Sequence, residues 1–333
     1  MKTALVTGSA GFIGAQVAER WLSEGWRVVG VDCFSEYYDP DLKRDRARRL
    51  ASFTDYVEVE DRIERPGLLA ELFEAHRPDT VIHLAAQAGV RYSIEAPRTY
   101  LDSNIAGTFE LLEAARARPP RHMLLASTSS VYGANTHMPY AETDKADSQM
   151  SFYAATKKAT EAMAHSYAHL YRLPVTMFRF FTVYGPWGRP DMAYFKFVKA
   201  ILEGLPIDVY NHGRMKRDFT YIDDLVDAVR GLADCVPDTT AGDFDSLSPV
   251  APFRIVNIGK SEPDELGTFI AAIETALGRK AQQNLMDMQP GDVPATWSDT
   301  TLLAALTGKS PKTPLSQGVP AFVEWYKDYY GVR

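Results

Sequence analysis

Cysteine is nearly absent from this 333-residue chain, with only Cys33 and Cys235 present. Two thiols so far apart cannot build a disulfide framework and lack metal-ligand spacing, so ordinary reduced thiols in a cytoplasmic protein are expected. No apolar run is long enough to span a bilayer, and no signal-like segment precedes the first strand-like stretch. Histidine is sparse as well, at seven residues, and these form no metal site. His83 sits inside the apolar stretch Val81–Ala85, which suits a hydrogen-bonded core histidine. His165 and His169 share a helix face without a partnering acid, which points to a surface or subunit contact rather than a metal. The net charge of −7 argues against a nucleic-acid surface, though local basic residues could still hold an anionic small substrate. With 46% hydrophobic residues, the chain can bury a substantial core, as one large domain or two intimate ones.

The N-terminus carries a dinucleotide signature. Residues 3–7 read as a short buried strand, and Gly8-Ser-Ala-Gly11-Phe-Ile-Gly14 follows at once, leading into a helix-like stretch to about Ser23. Strand, glycine turn and helix in that order let the backbone approach a pyrophosphate, with the helix N-terminus supplying free N–H donors. A second strand, Arg27–Asp32, ends on an acid. A carboxylate there can accept hydrogen bonds from ribose hydroxyls and would repel a 2′-phosphate, which favours NAD over NADP.

Further along, Tyr153 and Lys157 stand one helical turn apart, downstream of the hydroxyl run Ser127-Thr128-Ser129-Ser130. Residues i and i+4 share one helix face, so phenol and ammonium can project into the same cleft. A nearby cation favours phenolate and is expected to lower the tyrosine pKa. Tyr153 then becomes a candidate general base for a sugar hydroxyl, with Thr128 as its hydrogen-bonding partner.

Strand-like segments recur at 3–7, 27–31, 56–59, 79–84, 122–127 and 175–180, with helices expected over 66–75, 98–117 and 151–172. This alternation predicts an α/β fold, a doubly wound Rossmann-type parallel sheet. Past Gly185 the elements shorten, and a smaller C-terminal α/β substrate domain is expected. The boundaries are 1–181 for the dinucleotide domain, with a returning segment at about 217–235, and 182–333 for the second domain. The stretch 238–252 reads as a loop.

Taken together, these residues resemble the extended short-chain dehydrogenase/reductase family of nucleotide-sugar enzymes. Five further segments are similar to its UDP-glucuronate 4-epimerases: Tyr37–Lys43, His83–Ser93, Arg179–Ala193, Met215–Tyr221 and Met288–Asp292. Gln149-Met150 and Phe152 depart from the family pattern, in the loop ahead of Tyr153. The resemblance implies NAD as cofactor and interconversion of UDP-glucuronate with UDP-galacturonate through a 4-keto sugar. It implies Tyr153, Lys157 and Thr128 as catalytic residues. For NAD it adds Phe12, Ile13, Lys43, Asp61, Leu84, Ala85 and Ala86 to Gly8, Gly11, Gly14 and Asp32. For the substrate it implies Arg91, Ser129, Ser130, Thr182, Arg189, Tyr210, Arg217 and Asp292. Among these, Thr182 and Arg189, assisted by Ser129 and Ser130, would hold the sugar carboxylate; Arg217 would hold the diphosphate and Asp292 the uridine ribose. It also implies a homodimer through the helices near 98–117 and 151–172.

Alternatives stay open. Arg189 could be a salt bridge in the turn between Gly188 and Pro190, and Tyr210 an apolar strand position. A UDP-glucuronate decarboxylase would share substrate and cofactor; a neutral UDP-hexose 4-epimerase would leave Arg189 without a partner. A 4,6-dehydratase needs an acid where Ser129-Ser130 stands. A non-catalytic dinucleotide-binding sensor would have little reason to keep both Tyr153 and Lys157.

Overall fold

The computed structural model describes residues 1–238, 245–288 and 293–332. Its first part alternates strand and helix: β1 (Thr3–Thr7), α1 (Phe12–Ser23), β2 (Arg27–Asp32), α2 (Pro40–Ala51), β3 (Tyr56–Glu60), α3 (Leu68–His76) and β4 (Thr80–His83). Two short turns, α4 (Tyr92–Glu95) and α5 (Pro97–Tyr100), lead through a π-helical turn at Leu101–Ala106 into α6 (Gly107–Ala117). Then come β5 (His122–Thr128), α7 (Phe152–Tyr171) and β6 (Val175–Phe180). The elements β7 (Thr182–Tyr184), α8 (Ala193–Glu203), β8 (Ile207–Tyr210), β9 (Lys216–Arg217), β10 (Phe219–Tyr221) and α9 (Ile222–Leu232) follow. Later strands are β11 (Phe253–Ile258), β12 (Asp264–Glu265), β13 (Gln283–Met286) and β14 (Ala295–Thr296). They are interleaved with α10 (Leu266–Leu277), before α11 (Thr301–Thr307) and α12 (Leu315–Tyr330).

Seven strands form one parallel sheet in the order β11-β6-β5-β4-β1-β2-β3. Every residue of β1, β5 and β6 is buried, as expected where helices cover both faces of a parallel sheet. One face packs on α1, α9 and α11 through residues such as Ala18, Trp21, Val226, Val229 and Leu303. The other packs on α3, α6 and α7 through Leu69, Phe73, Leu111, Ala115, Ala164 and Ala168. A separate core joins α8, α10 and α12 around Phe195, Phe269 and Phe322. From β1 the chain winds outward to β2 and β3, and from β4 it winds the other way. The crevice beyond the carboxyl ends of β1 and β4 is therefore the topological switch point, where such sheets bind ligands.

One feature departs from the expected pattern: the helix expected over 98–117 is interrupted by the π turn at Leu101–Ala106. β11 returns from the second half of the chain and joins the main sheet as an edge strand beside β6. His169 is exposed, as expected of a surface position, and His165 is half-buried; both also hold the 245–252 loop, His165 Nε2 meeting Ser248 Oγ at 2.8 Å and His169 Nδ1 the Val250 carbonyl at 3.0 Å. The buried pair Arg254–Asp245, at 2.7 Å, anchors the same loop to β11. His83 is the expected core histidine, with Nδ1 at 2.7 Å from Thr7 Oγ1 and Nε2 at 3.1 Å from Thr108 Oγ1.

The glycine turn between β1 and α1 tolerates no side chain. A Cβ at Gly14 would lie 1.9 Å from the Gly8 carbonyl oxygen, and one at Gly8, whose φ is 74°, would lie 2.7 Å from the Ala85 nitrogen. Helix propensity alone would make Gly14→Ala stabilising by about 1 kcal/mol. We expect it instead to destabilise the fold by roughly 1–3 kcal/mol in urea unfolding and to empty the dinucleotide site. A stabilised variant that retains dinucleotide would show that the turn relaxes around the methyl group.

Candidate active site

The N-cap of α1 is Gly11, which makes no side-chain capping bond. The first-turn N–H groups are thus left to an anion at the end of the helix dipole. At the end of β2, Asp32 is oriented by its own loop: Oδ2 accepts from the Ala10 N–H at 3.0 Å and Oδ1 from the Phe34 N–H at 2.9 Å. Lys43 reaches in from α2 and donates to the Ser35 carbonyl at 2.6 Å and hydroxyl at 2.8 Å. Burial pushes its pKa down, and the Asp32 carboxylate opposes this. A cavity of about 470 Å³ opens over these groups, lined by Gly8, Gly11–Gly14, Asp32, Lys43, Asp61, Leu84–Ala86, Tyr153, Lys157 and Arg189. The residues expected to hold the dinucleotide therefore meet in one cleft. A glycine cradle that any Cβ would fill, free helix N–H donors and a ribose-facing carboxylate fit that cofactor.

Ser151 caps α7, its Oγ accepting from the Ala154 N–H at 3.1 Å, which places Tyr153 and Lys157 in the first two turns. Tyr153 is packed at 6.0 Å from the Tyr100 ring. The expected lowering of its pKa by Lys157 is not found. Burial raises it, and the opposing influences are a hydrogen bond with Thr128 and the charge of Arg189. Desolvation of the phenolate outweighs both. Lys157 is itself buried, which pushes its pKa down to about 8 against the pull of Glu161.

On the substrate side, Ser129 and Ser130 open a 3₁₀ turn capped by Thr128, whose Oγ1 accepts from the Ser130 N–H at 3.2 Å. Thr182 begins β7, its N–H donating to the Asp218 carbonyl at 3.0 Å. Arg189 lines the cavity but also forms the alternative salt bridge in its turn. Its Nε donates to Asp191 Oδ1 at 3.0 Å and Nη2 to Oδ2 at 2.5 Å, and Tyr37 donates to Asp191 Oδ2 at 3.2 Å. Arg91 stacks over the Tyr210 ring at 5.1 Å, while Arg217 donates to the Lys216 and Val293 carbonyls, both at 2.9 Å. Thr128, Ser129, Ser130, Thr182, Arg91, Tyr210 and Arg217 do not line the cavity that holds Tyr153. Asp292 lies outside the described residues.

Sequence reading missed Asn104, buried in the π turn. Its Oδ1 accepts from the Gln87 N–H at 2.8 Å, and its Nδ2 donates to the Gln87 carbonyl at 3.1 Å and Thr156 Oγ1 at 3.0 Å. It thereby ties the cavity strand end to α7 beside Tyr153 and Lys157. The available signal was a poor helix former in the middle of a helical stretch, and π turns gather at functional sites. Asp191, Tyr37 and Arg46 were missed as well.

Lys157 gives the site a pH signature. Its pKa falls from the ordinary 10.5 to about 8 on folding. Between those values the unfolded chain holds a proton that the folded one has released, so stability from this residue rises with pH through that window. Below about 8 the buried charge is retained at a cost. We expect Lys157→Met to raise the melting temperature of dinucleotide-free protein at pH 7 and to flatten the rise between pH 8 and 10. A lowered melting temperature at pH 7 would show that the ammonium is well satisfied in the fold.

Comparison with known proteins places the whole chain. The profile of the NAD dependent epimerase/dehydratase family matches residues 4–239. The chain is 52% identical over 331 residues to a probable UDP-glucuronate 4-epimerase of Rhizobium meliloti (strain 1021), covering 98% of this chain and 97% of that protein. It is 46% identical over 332 residues to UDP-glucuronate 4-epimerase 1 of Arabidopsis thaliana, covering 98% of this chain and 77% of that protein. Its fold is similar to the crystal structure of UDP-glucuronic acid 4-epimerase from Bacillus cereus in complex with UDP-glucuronic acid and NAD. That match has a TM-score of 0.88 and 31% identity, and covers 98% of this chain and 100% of the other. With a family profile over residues 4–239 and a relative 52% identical over nearly the whole chain, this chain belongs to the NAD-dependent epimerase/dehydratase family.

Proposed function

We propose that this protein interconverts UDP-glucuronate and UDP-galacturonate at C4 and retains its NAD between turnovers. The observation that carries this reading is a half-buried arginine, Arg189, lining the same cavity as Tyr153 and Lys157. Its Nε and Nη2 already pair with Asp191, and a uronate carboxylate can take the remaining Nη1 edge, which a neutral UDP-hexose would leave unused. The relatives named above support the same substrate.

Bound NAD supplies the hydride acceptor and donor at C4. Tyr153 takes the proton from the C4 hydroxyl and, once the 4-keto sugar has turned to present its opposite face, returns that proton to the C4 oxygen. Thr128 holds the phenol by its hydrogen bond, and Lys157 binds the nicotinamide ribose. Burial disfavours the phenolate, so the charges of Lys157 and Arg189 matter most at the moment of proton transfer. Asp191 takes the Nε edge of Arg189, and the sugar carboxylate takes the Nη1 edge, with Thr182, Ser129 and Ser130 beside it. Holding the carboxylate keeps its C–C bond out of line with the adjacent ketone, which suppresses loss of CO₂. Arg217 grips the diphosphate, Tyr210 and Arg91 form the uracil end, and Asp292 receives the uridine ribose. Residues 1–181 and the returning helix serve NAD; 182–333 mainly serve the UDP-sugar.

A homodimer through α6 and α7 completes the proposal. Phe109, Leu170 and Tyr171 are 46%, 65% and 40% exposed on that face, an apolar surface that a second copy would cover. A cytoplasmic location is supported by two free thiols. Among the described residues no helix is long and apolar enough to cross a membrane.

Incubation of the purified protein with UDP-glucuronate and no added cofactor, followed by proton NMR, tests this reading. UDP-galacturonate should accumulate as the main product. UDP-xylose or a 4-keto pentose as the main product would move the assignment to a decarboxylase. No reaction even with NAD added would sink it. Tyr153→Phe should slow epimerisation by roughly 10²–10⁴-fold while NAD stays bound; turnover near that of the native protein would remove Tyr153 as the base.

A further inference from the structure

The turn that carries Arg189 is held in a conformation its residues do not favour. Trp187 has φ 64°, in the left-handed region that a bulky residue occupies only when its surroundings impose it. The surroundings that do so come from α2. Arg46, fully buried there, points its guanidinium at four oxygens. Nη2 donates to the Trp187 carbonyl at 2.6 Å and the Gly188 carbonyl at 3.0 Å. Nη1 donates to the Ala10 carbonyl at 3.1 Å and the Tyr38 hydroxyl at 2.7 Å. One planar group therefore ties the glycine turn of the dinucleotide site to the two peptides just before Arg189. The Trp187 ring is fixed from the other side, 5.4 Å from Trp325 and 4.6 Å from the Arg49 guanidinium. Lys43, one turn earlier on the same buried face of α2, reaches the cofactor end of the cleft.

We infer that Arg46 is a positioning residue: it clamps the 187–188 peptides to the glycine turn and so aims Arg189 at the sugar carboxylate. This rests on the role proposed above for Arg189. A rigid fork can bridge carbonyls from two separate loops, which a single ammonium cannot reproduce. The consequence lies in the fate of the 4-keto sugar. If the carboxylate swings into line with the ketone, the C5–C6 bond breaks and its electron pair passes into an enolate as CO₂ departs. Protonation of that enolate gives a UDP-4-keto-pentose. In sum, UDP-glucuronate and NAD become UDP-4-keto-pentose, CO₂ and reduced dinucleotide. A misplacement of about 1 Å in such a site is enough for large losses of control.

The test compares Arg46→Lys with Arg189→Ala, measuring 4-keto-pentose formed per epimerisation event by NMR and affinity for UDP-glucuronate and for UDP by calorimetry. Arg46→Lys is expected to raise the keto-pentose ratio on the order of tenfold and to weaken UDP-glucuronate binding while UDP binding and bound NAD are kept. An arginine that only stabilised the fold would lower the melting temperature and the active fraction but leave that ratio alone, which would overturn the proposal. If Arg189→Ala raises the ratio and Arg46→Lys does not, the clamp falls and the role of Arg189 stands. If Arg189→Ala leaves the ratio unchanged, both fall. Should Arg46→Lys fail to fold, Arg46→Gln carries the same expectation, since it keeps an amide donor but cannot bridge both loops. An unchanged ratio there overturns the clamp equally.

Discussion

The close approach of α1 to β1 at the glycine turn is the constraint on which the rest depends. The Gly8 carbonyl oxygen occupies the space that a Cβ at Gly14 would need, so the helix starts hard against the end of the strand. From that turn the neighbouring strand ends are set by hydrogen bonds rather than by packing alone. The Gly8 N–H donates to the Val31 carbonyl at 2.7 Å, Thr7 Oγ1 meets His83 at 2.7 Å, and the Ala85 N–H donates to Thr7 Oγ1 at 3.2 Å. Burial drives the His83 pKa down to about 3, so the imidazole stays neutral and can accept from one hydroxyl while donating to another. The crevice wall beneath the cofactor is thus a continuous polar seam inside an apolar sheet.

The catalytic side has its own anchor. Glu161, one turn past Lys157, pairs with Arg179 of β6 at 2.9 Å, and both side chains are almost wholly buried. Burial alone would raise the Glu161 pKa, but the Arg179 hydrogen bonds outweigh it and hold the carboxyl ionised. Such a pair adds little net stability after desolvation, yet breaking it is costly. Its value lies in register. Ser127 donates to the same carboxylate at 2.6 Å, and Ser127 lies opposite Arg179 in the sheet. Helix α7 is thereby fixed against β5 and β6, and with it the distance between Tyr153 and Thr128. The Tyr132 ring, 4.6 Å from the Arg179 guanidinium, carries the same restraint into the loop after β5.

Much of this was legible from local pattern. Fully buried strands read as short apolar runs, a glycine turn between strand and helix has few other uses, and the helical spacing of Tyr153 and Lys157 gains its meaning from that glycine turn. The departures have physical causes. α2, with the sequence Pro-Asp-Leu-Lys-Arg-Asp-Arg-Ala-Arg-Arg-Leu-Ala, reads as a solvated charged helix, and nothing local distinguishes Arg46 from Arg48. The distinction comes from a partner 141 residues later in the chain. Asp191 likewise acquires its meaning from Tyr37, 154 residues away. Asn104 looked like a weak helix residue because the π turn that employs it is invisible to a 3.6-residue period. The pKa of Tyr153 was misjudged for a related reason: spacing reports which groups face each other, but not how much water the fold removes from them.

That last point explains why the site is built as it is. A buried ammonium and a tryptophan in left-handed backbone each cost free energy in the resting protein, and a desolvated phenol resists ionisation. None would persist on a mobile loop. Here each is tied to rigid elements: Tyr153 and Lys157 to a helix locked by Glu161 and Arg179, and Trp187 to the glycine turn through Arg46. The unfavourable groups also converge on one place. A desolvated phenol gains most from nearby positive charge because the cleft that raises its pKa also strengthens every electrostatic interaction within it. The same removal of water that makes the resting tyrosine a poor base makes it sensitive to the charges brought beside it when cofactor and substrate are both in place.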